Sequence, residues 1–198
     1  MKIVLATHNR DKVAELREIL GDLPVDILTL DEFPSIGEIV EGGLTFEENA
    51  LKKARAVSRA TKLPSLADDS GLEVYYLKNR PGVHSSRYAG PGCTYADNVR
   101  KLLQELKGVP PRRRGARFRC TAVLVGPGCE ETTDGLVEGT ITEEPRGTDG
   151  FGYDPLFIPA GYTQTYAELA SEIKNRISHR ARAFEKMKEI IARHVGSR

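Results

Sequence analysis

Ile3, Val4, Leu5 and Ala6 form an apolar run bounded by polar residues and too short for a helix, so the run reads as a buried strand. Asn9 then stands where a helix cap belongs. Val13, Leu16, Ile19 and Leu20 recur at helical spacing until Gly21 stops them. Residues 25–30 read as a second strand. Strand, turn, helix, strand is the start of an α/β sheet, and it limits the chain to architectures in which helices cover a sheet.

The rest of the chain supplies the parts of such a fold. Thr45, Phe46, Glu47 and Glu48 form a capping-box pattern, with Thr45 as cap and Glu48 at the third helical position. The helix they open runs to about residue 61, with Phe46, Ala50, Leu51, Ala54 and Val57 on one face. Residues 65–67 and 72–77 read as strand, interrupted by Asp68-Asp69-Ser70-Gly71. Thr94 caps a third helix that carries Val99, Leu102, Leu103 and Leu106. Residues 117–125 and 131–141 form a hairpin through Gly126-Pro127-Gly128. A glycine-rich loop fills 147–155, and 178–194 is an amphipathic helix. With 198 residues the chain is expected to be a single domain, 1–198, built as one core with two lobes.

Composition narrows the function classes. Cys93, Cys120 and Cys129 are odd in number and none forms a C-x-x-C pair, which excludes a four-cysteine zinc site and a disulfide framework and favours a reducing compartment. No apolar stretch reaches the length of a signal-peptide core or a membrane helix, so the expected location is cytoplasmic, with no membrane partner. Lys and Arg number 29 against 28 Asp and Glu, so a polybasic coat for nucleic acid is not expected. The balance is a sum of opposed blocks. Residues 26–51 hold seven acids and no base, whereas 171–198 hold eight bases against three Glu.

Four segments carry residues suited to chemistry. Thr7, His8, Asn9, Arg10, Asp11 and Lys12 lie where the first strand meets the first helix. Backbone N–H groups and the helix dipole there favour an anion, and Lys12 adds a positive charge. An ordinary Asn-capped helix would use the same residues. Asp68 and Asp69 stand side by side with Ser70 and Gly71. Adjacent carboxylates call for a metal ion or a basic side chain, and with Glu41, Glu47 and Glu48 they would suit Mg²⁺ or Mn²⁺ rather than Zn²⁺. A polar turn is the plainer alternative. In the third segment, glycines flank Phe151, Gly152, Tyr153 and Asp154, so a flat ligand could approach and stack on either ring. In the fourth, His179 and Arg180 follow Ser178 at a helix start, with Lys174 just before, and offer donors to phosphate or carbonyl oxygen.

In this order the segments resemble one family, the inosine triphosphate pyrophosphatases, also called XTP/dITP pyrophosphatases. The resemblance rests on T-x-N-x-x-K (Thr7, Asn9, Lys12), T-F-x-E-N-A (Thr45 to Ala50), Lys53-Ala54-Arg55, A-D-D-S-G-L (Ala67 to Leu72), Arg87-Tyr88, F-G-Y-D-P (Phe151 to Pro155) and S-H-R (Ser178 to Arg180). It implies a mixed α/β fold with an elongated central sheet flanked by helices, two lobes and an active-site cleft between them. It also implies a homodimer, dependence on Mg²⁺, and removal of pyrophosphate from nonstandard purine nucleoside triphosphates such as ITP, dITP and XTP. By match, Thr7 to Lys12 and Lys53 would meet the triphosphate, and Glu41 and Asp69 would hold Mg²⁺. Asp69 would also accept a proton, and Ser70 would contact the nucleotide. Phe151 to Asp154 and Lys174 would hold base and sugar, and His179 and Arg180 would reach the purine. His8 and Asp11 stand where many members carry glycine; Asp11 is expected to face away from the phosphates.

Two rival readings have their own signatures. A related pyrophosphatase could act on pyrimidine or methylated nucleotides. A nucleic-acid-binding protein could use residues 110–119, with five arginines within eight residues but only Phe118 for stacking.

Overall fold

The structure, a computed structural model, describes residues 1–196. Arg198, the end of the C-terminal basic block, lies outside the described residues. The strands are β1 (Lys2–Leu5), β2 (Asp26–Leu28), β3 (Ser65–Val74), β4 (Arg80–Pro81), β5 (Gly115–Gly126), β6 (Cys129–Ile141) and β7 (Phe157–Pro159). The helices are α1 (Arg10–Ile19), α2 (Phe46–Thr61), α3 (Tyr95–Glu105), α4 (Ser171–Ile177) and α5 (His179–Gly196). The sheet is mixed, in the order β2-β1-β3-β5-β6-β7, with β4 also paired to β3. β1 runs parallel to β2 and to β3, while β3/β4 and β6/β7 are antiparallel. The fold is therefore the expected mixed α/β sheet flanked by helices.

The chain divides into two compact units. The first comprises Met1–Asp69, Cys120–Gly135 and the chain from Arg180 onward; the second comprises Ser70–Arg119 and Leu136–His179. In the first unit, extended backbone sends alternate side chains to opposite faces. Ile3, Leu5, Leu66, Cys120, Ala122 and Leu124 pack with Leu16 and Ile19 of α1 and with Phe184, Met187 and Ile191 of α5. Val4, Ala6, Ala67 and Val123 pack on the other side with Ala50, Ala54 and Val57 of α2. Both faces are covered, which is why these strands are apolar without alternation. In the second unit Leu72, Val74, Ala116 and Phe118 pack with Leu102 of α3 and with Phe157 and Tyr166.

The structure corrects three expectations of local structure. Residues 65–74 form one continuous strand, so Asp68-Asp69-Ser70-Gly71 is neither a turn nor a strand end. Its carboxylates are paired with basic side chains, so nothing forces the backbone out of the ladder. Successive side chains then point to opposite faces, so the two acids do not confront each other. Ser178 is not helical; at φ −66°, ψ 159° it separates α4 from α5. α4 carried no legible signal because it has seven residues and its Ile173 is exposed. Finally, Thr45 Oγ1 does accept from Glu48 N–H at 3.1 Å, but the Glu48 carboxylate reaches Leu44 N–H at 2.7 Å rather than returning to Thr45.

Thr45 nonetheless caps the helix that positions much of the candidate site. Thr45→Ala should cost about 1 kcal/mol, a fall in Tm of roughly 2–4 °C for a chain of this size. Thr45→Ser should keep most of it. Thermal unfolding of the two variants side by side checks this.

Candidate active site

The first turn of α1 does not present its amides as expected. Asn9 Oδ1 accepts from the N–H groups of Asp11 at 2.9 Å and Lys12 at 3.2 Å, and Asn9 N–H donates to Thr7 Oγ1 at 3.2 Å. The cap has taken two of the donors that an anion would use. His8, Arg10 and Asp11 are exposed, with His8 Nε2 3.5 Å from Gly37 O. Lys12 turns inward, and its Nζ donates to Asp68 Oδ2 at 3.0 Å.

Asp68 lies on the α1/α5 face, fully buried, and is met there by Arg180. Arg180 donates from Nη2 and Nε to Asp68 Oδ2 at 3.1 and 3.3 Å, and from Nη1 to Glu15 Oε2 at 2.5 Å. Burial alone would push the Asp68 carboxyl up, but Lys12, Arg180 and Lys53 outweigh it and hold it well below the usual range. Burial acts downward on Arg180, and Asp68 with Glu15 reverses that, so its charge is secured. The expectation that Arg180 reaches a purine differs from this placement. A guanidinium this deeply buried is held by carboxylates, because an unpaired charge there is costly.

Asp69 lies on the α2 face. Asn49 Nδ2 donates to Asp69 Oδ2 at 3.0 Å, while Asn49 Oδ1 accepts from Gly43 N–H at 2.8 Å. A side chain at Gly43 would overlap that amide, so glycine there allows the close approach. Lys53 Nζ donates to Glu41 Oε1 at 2.6 Å and to the Asp68 carbonyl at 2.7 Å, and lies 3.9 Å from Asp69 Oδ1. Burial is the main influence raising the Asp69 carboxyl. Lys53 and Lys12 oppose it, Glu41 adds to it, and the result is upward. Two carboxylates on neighbouring residues are thus driven in opposite directions, the pattern that separates a fixed charge from a proton-accepting group. Glu47 and Glu48 do not join the cluster; both are exposed, and Glu48 is occupied by Leu44.

The donor set around Asp69 fits a small hard cation. Glu41 and Asp69 converge on one ammonium, each offers only oxygen, and their mutual repulsion is part of what raises Asp69. Two carboxylates, with water and substrate phosphates completing the shell, are what Mg²⁺ ordinarily takes.

In the second unit, Asp154 organises the glycine-rich loop. It is buried, accepts from Lys174 Nζ at 2.5 Å and from Phe151 N–H at 2.9 Å, and lies where a Cβ on Gly150 (φ +72°) would sit. Lys174 is also 4.8 Å from the Phe151 ring centre, and Phe151 stands 5.9 Å from Tyr95. Tyr153 is not available to stack. Its ring is buried and its hydroxyl donates to Ser85 O at 2.9 Å, so it anchors the loop to the core. Gly152, between these two aromatics, adopts φ +64°. The His179 ring lies nearly parallel to Phe118, with centres 4.6 Å apart. Ser70 is half-buried in β3, the first residue of the second unit.

Sequence reasoning gives Glu15 no place and Asn49 a place in the T-F-x-E-N-A motif but no role. Each sits on the buried stripe of its helix, beside Leu16 and Ala50, and a polar residue at such a position is the signal that would have found it. The arginine cluster has largely structural duties. Arg114 donates to the carbonyls of Leu106, Ile141 and Thr142, Arg117 pairs with Glu73, and Arg113 lies over the Tyr76 ring.

Known proteins resemble this chain over nearly its whole length. A dITP/XTP pyrophosphatase of Geobacter sulfurreducens is 49% identical over 196 residues, covering 98% of this chain and 96% of the relative. That of Bacillus subtilis is 49% identical over 189 residues, 95% of this chain and 96% of its own. The solved structure of a HAM1 protein from Coxiella burnetii superposes with a TM-score of 0.88 at 42% identity, covering 98% and 99% of the two chains. The Ham1 family model matches residues 3–190, and with relatives this similar over nearly their whole length, the chain belongs to the Ham1 family.

Proposed function

We propose that this chain hydrolyses nonstandard purine nucleoside triphosphates, dITP, ITP and XTP, to the monophosphate and pyrophosphate. The observation that carries the reading is the Asp69 cluster: a buried carboxyl raised by its surroundings, oriented by Asn49 and faced by Lys53 and Glu41. Its relatives named dITP/XTP pyrophosphatase give the substrate class.

In this reading Asp69 orients and deprotonates a water that attacks the α-phosphorus, and pyrophosphate leaves. Lys12 and Lys53 neutralise charge that develops on the phosphates; a preorganised cation in a water-poor site acts strongly there. Glu41 and Asp69 would hold Mg²⁺, which supplies charge neutralisation to the leaving pyrophosphate. Phe151 stacks on the base, Asp154 holds Lys174 in place, and Lys174 and His179 are the donors for a purine 6-oxo group. Arg180 acts through Asp68 rather than on the base. Homodimeric assembly and a cytoplasmic location complete the proposal; no helix among the described residues is long and apolar enough to cross a membrane.

A donor aimed at a 6-oxo acceptor is left unpaired against the 6-amino group of ATP, a large penalty in a buried site. Pyrophosphate release with Mg²⁺ should give kcat/KM for ITP and XTP at least about 100-fold above ATP. Equal values for ITP, XTP and ATP would refute the assignment. So would orthophosphate as the product.

A further inference from the structure

A second group of chemistry-bearing side chains meets within the first unit, away from Asp69. Cys129 opens β6, and His194 lies in the last turns of α5. Their Sγ and Nε2 atoms are 3.2 Å apart across a separation of 65 residues. Glu131 lies two residues beyond Cys129 and so shares its face of the strand. One ligand atom from each of the three residues falls within 4.8 Å of the others, the only such group of three among the described residues. We propose that Cys129, Glu131 and His194 bind a borderline divalent cation of the zinc class.

The donor chemistry points to that class. Thiolate and imidazole favour zinc over magnesium, and a carboxylate is a common third ligand. In a tetrahedral zinc site, bond lengths of about 2.3 Å to sulfur and 2.0–2.1 Å to nitrogen place those atoms about 3.6 Å apart. The observed 3.2 Å needs little adjustment. Cys129 and His194 are half-buried and Glu131 is exposed, so the set is anchored on one side and open to water on the other. Three protein ligands and one water is a complete shell for zinc.

The site is separate from the proposed active site. His194 lies 14 residues along α5 from Arg180, about 21 Å at the helical rise. A bound ion there would tie the end of α5 to the start of β6. Binding that requires the folded arrangement stabilises it. A plain thiol–imidazole hydrogen bond would need no metal, and that difference is what the experiment reads.

The test uses the full chain with Zn²⁺ as probe and excess Mg²⁺ present to occupy oxygen-donor sites. Competition against a chromophoric chelator should show one tight Zn²⁺ per chain, and saturating Zn²⁺ should raise Tm by about 5 °C. Co²⁺ in its place should give a near-ultraviolet thiolate-to-cobalt absorption. Cys129→Ser should abolish that band, and Cys129→Ser and His194→Gln should each lose more than the roughly 10–100-fold of affinity that a second-shell change costs. Both should keep metal-free stability and Mg²⁺-supported turnover near wild type. Zn²⁺ binding unchanged in both variants, or no cobalt–thiolate band in the wild type, would overturn the proposal.

Discussion

Replacing Asp69 by asparagine will lower kcat by about 10²–10⁴-fold, the contribution of a positioned proton acceptor, while nucleotide binding stays near wild type. The amide keeps an oxygen for the Asn49 donor and keeps the shape of the side chain, but it cannot take a proton. The fold should not suffer. Burial disfavours the ionised carboxylate at Asp69, so its charge at neutral pH is a strain on the folded state, and the neutral amide removes it. The variant should therefore melt at or above the wild-type temperature. Turnover measured by pyrophosphate release, binding by isothermal titration and unfolding by calorimetry separate the three effects. Near-normal turnover in Asp69→Asn would remove Asp69 from the mechanism.

Arg180→Met should act in the opposite way, on the fold before the chemistry. The guanidinium is 2% exposed and bound to Asp68 and Glu15. Removing one partner from a buried ion network costs about 3–5 kcal/mol, roughly 6–20 °C in Tm for a chain of this length. Lys12 remains beside Asp68, but Glu15 loses this guanidinium. Adding Glu15→Gln to Arg180→Met should recover part of the loss, because it neutralises the carboxylate that lost the guanidinium while leaving the Lys12–Asp68 pair intact. Arg180→Lys should recover less than the parent geometry gives, since an ammonium cannot span the two carboxylates as a planar fork does. A Tm within about 2 °C of wild type for Arg180→Met would show that the network is not structural.

The two variants also mark how far the chain could be read without its fold. The first strand, the Asn9 cap, the Thr45 cap and the β5/β6 hairpin were legible because each depends on neighbours within a few residues: a run of β-branched side chains, an oxygen over free amides, a Pro-Gly turn. The family was legible because its motifs survive in order from Thr7 to Arg180. α4 was not, since seven residues with an exposed isoleucine carry no period. Asp68 and Asp69 misled for a related reason. Two adjacent acids look like a turn until tertiary partners for each are known.

The sequence by itself therefore determined the class of fold, the family and the list of residues able to do chemistry, because those follow from local pattern and motif order. Only the tertiary structure decided what each residue does. Pleating sends Asp68 towards α1 and α5, where Lys12 and Arg180 hold its carboxyl low, and Asp69 towards α2, where burial outweighs Lys53 and raises its carboxyl. Arg180, His179 and Lys174 are neighbours in sequence, yet Arg180 serves a buried ion network, His179 stacks on Phe118 and Lys174 is held by Asp154. Those duties depend on side chains that the chain brings from as far as 165 residues away, and electrostatics acts through space rather than along the backbone.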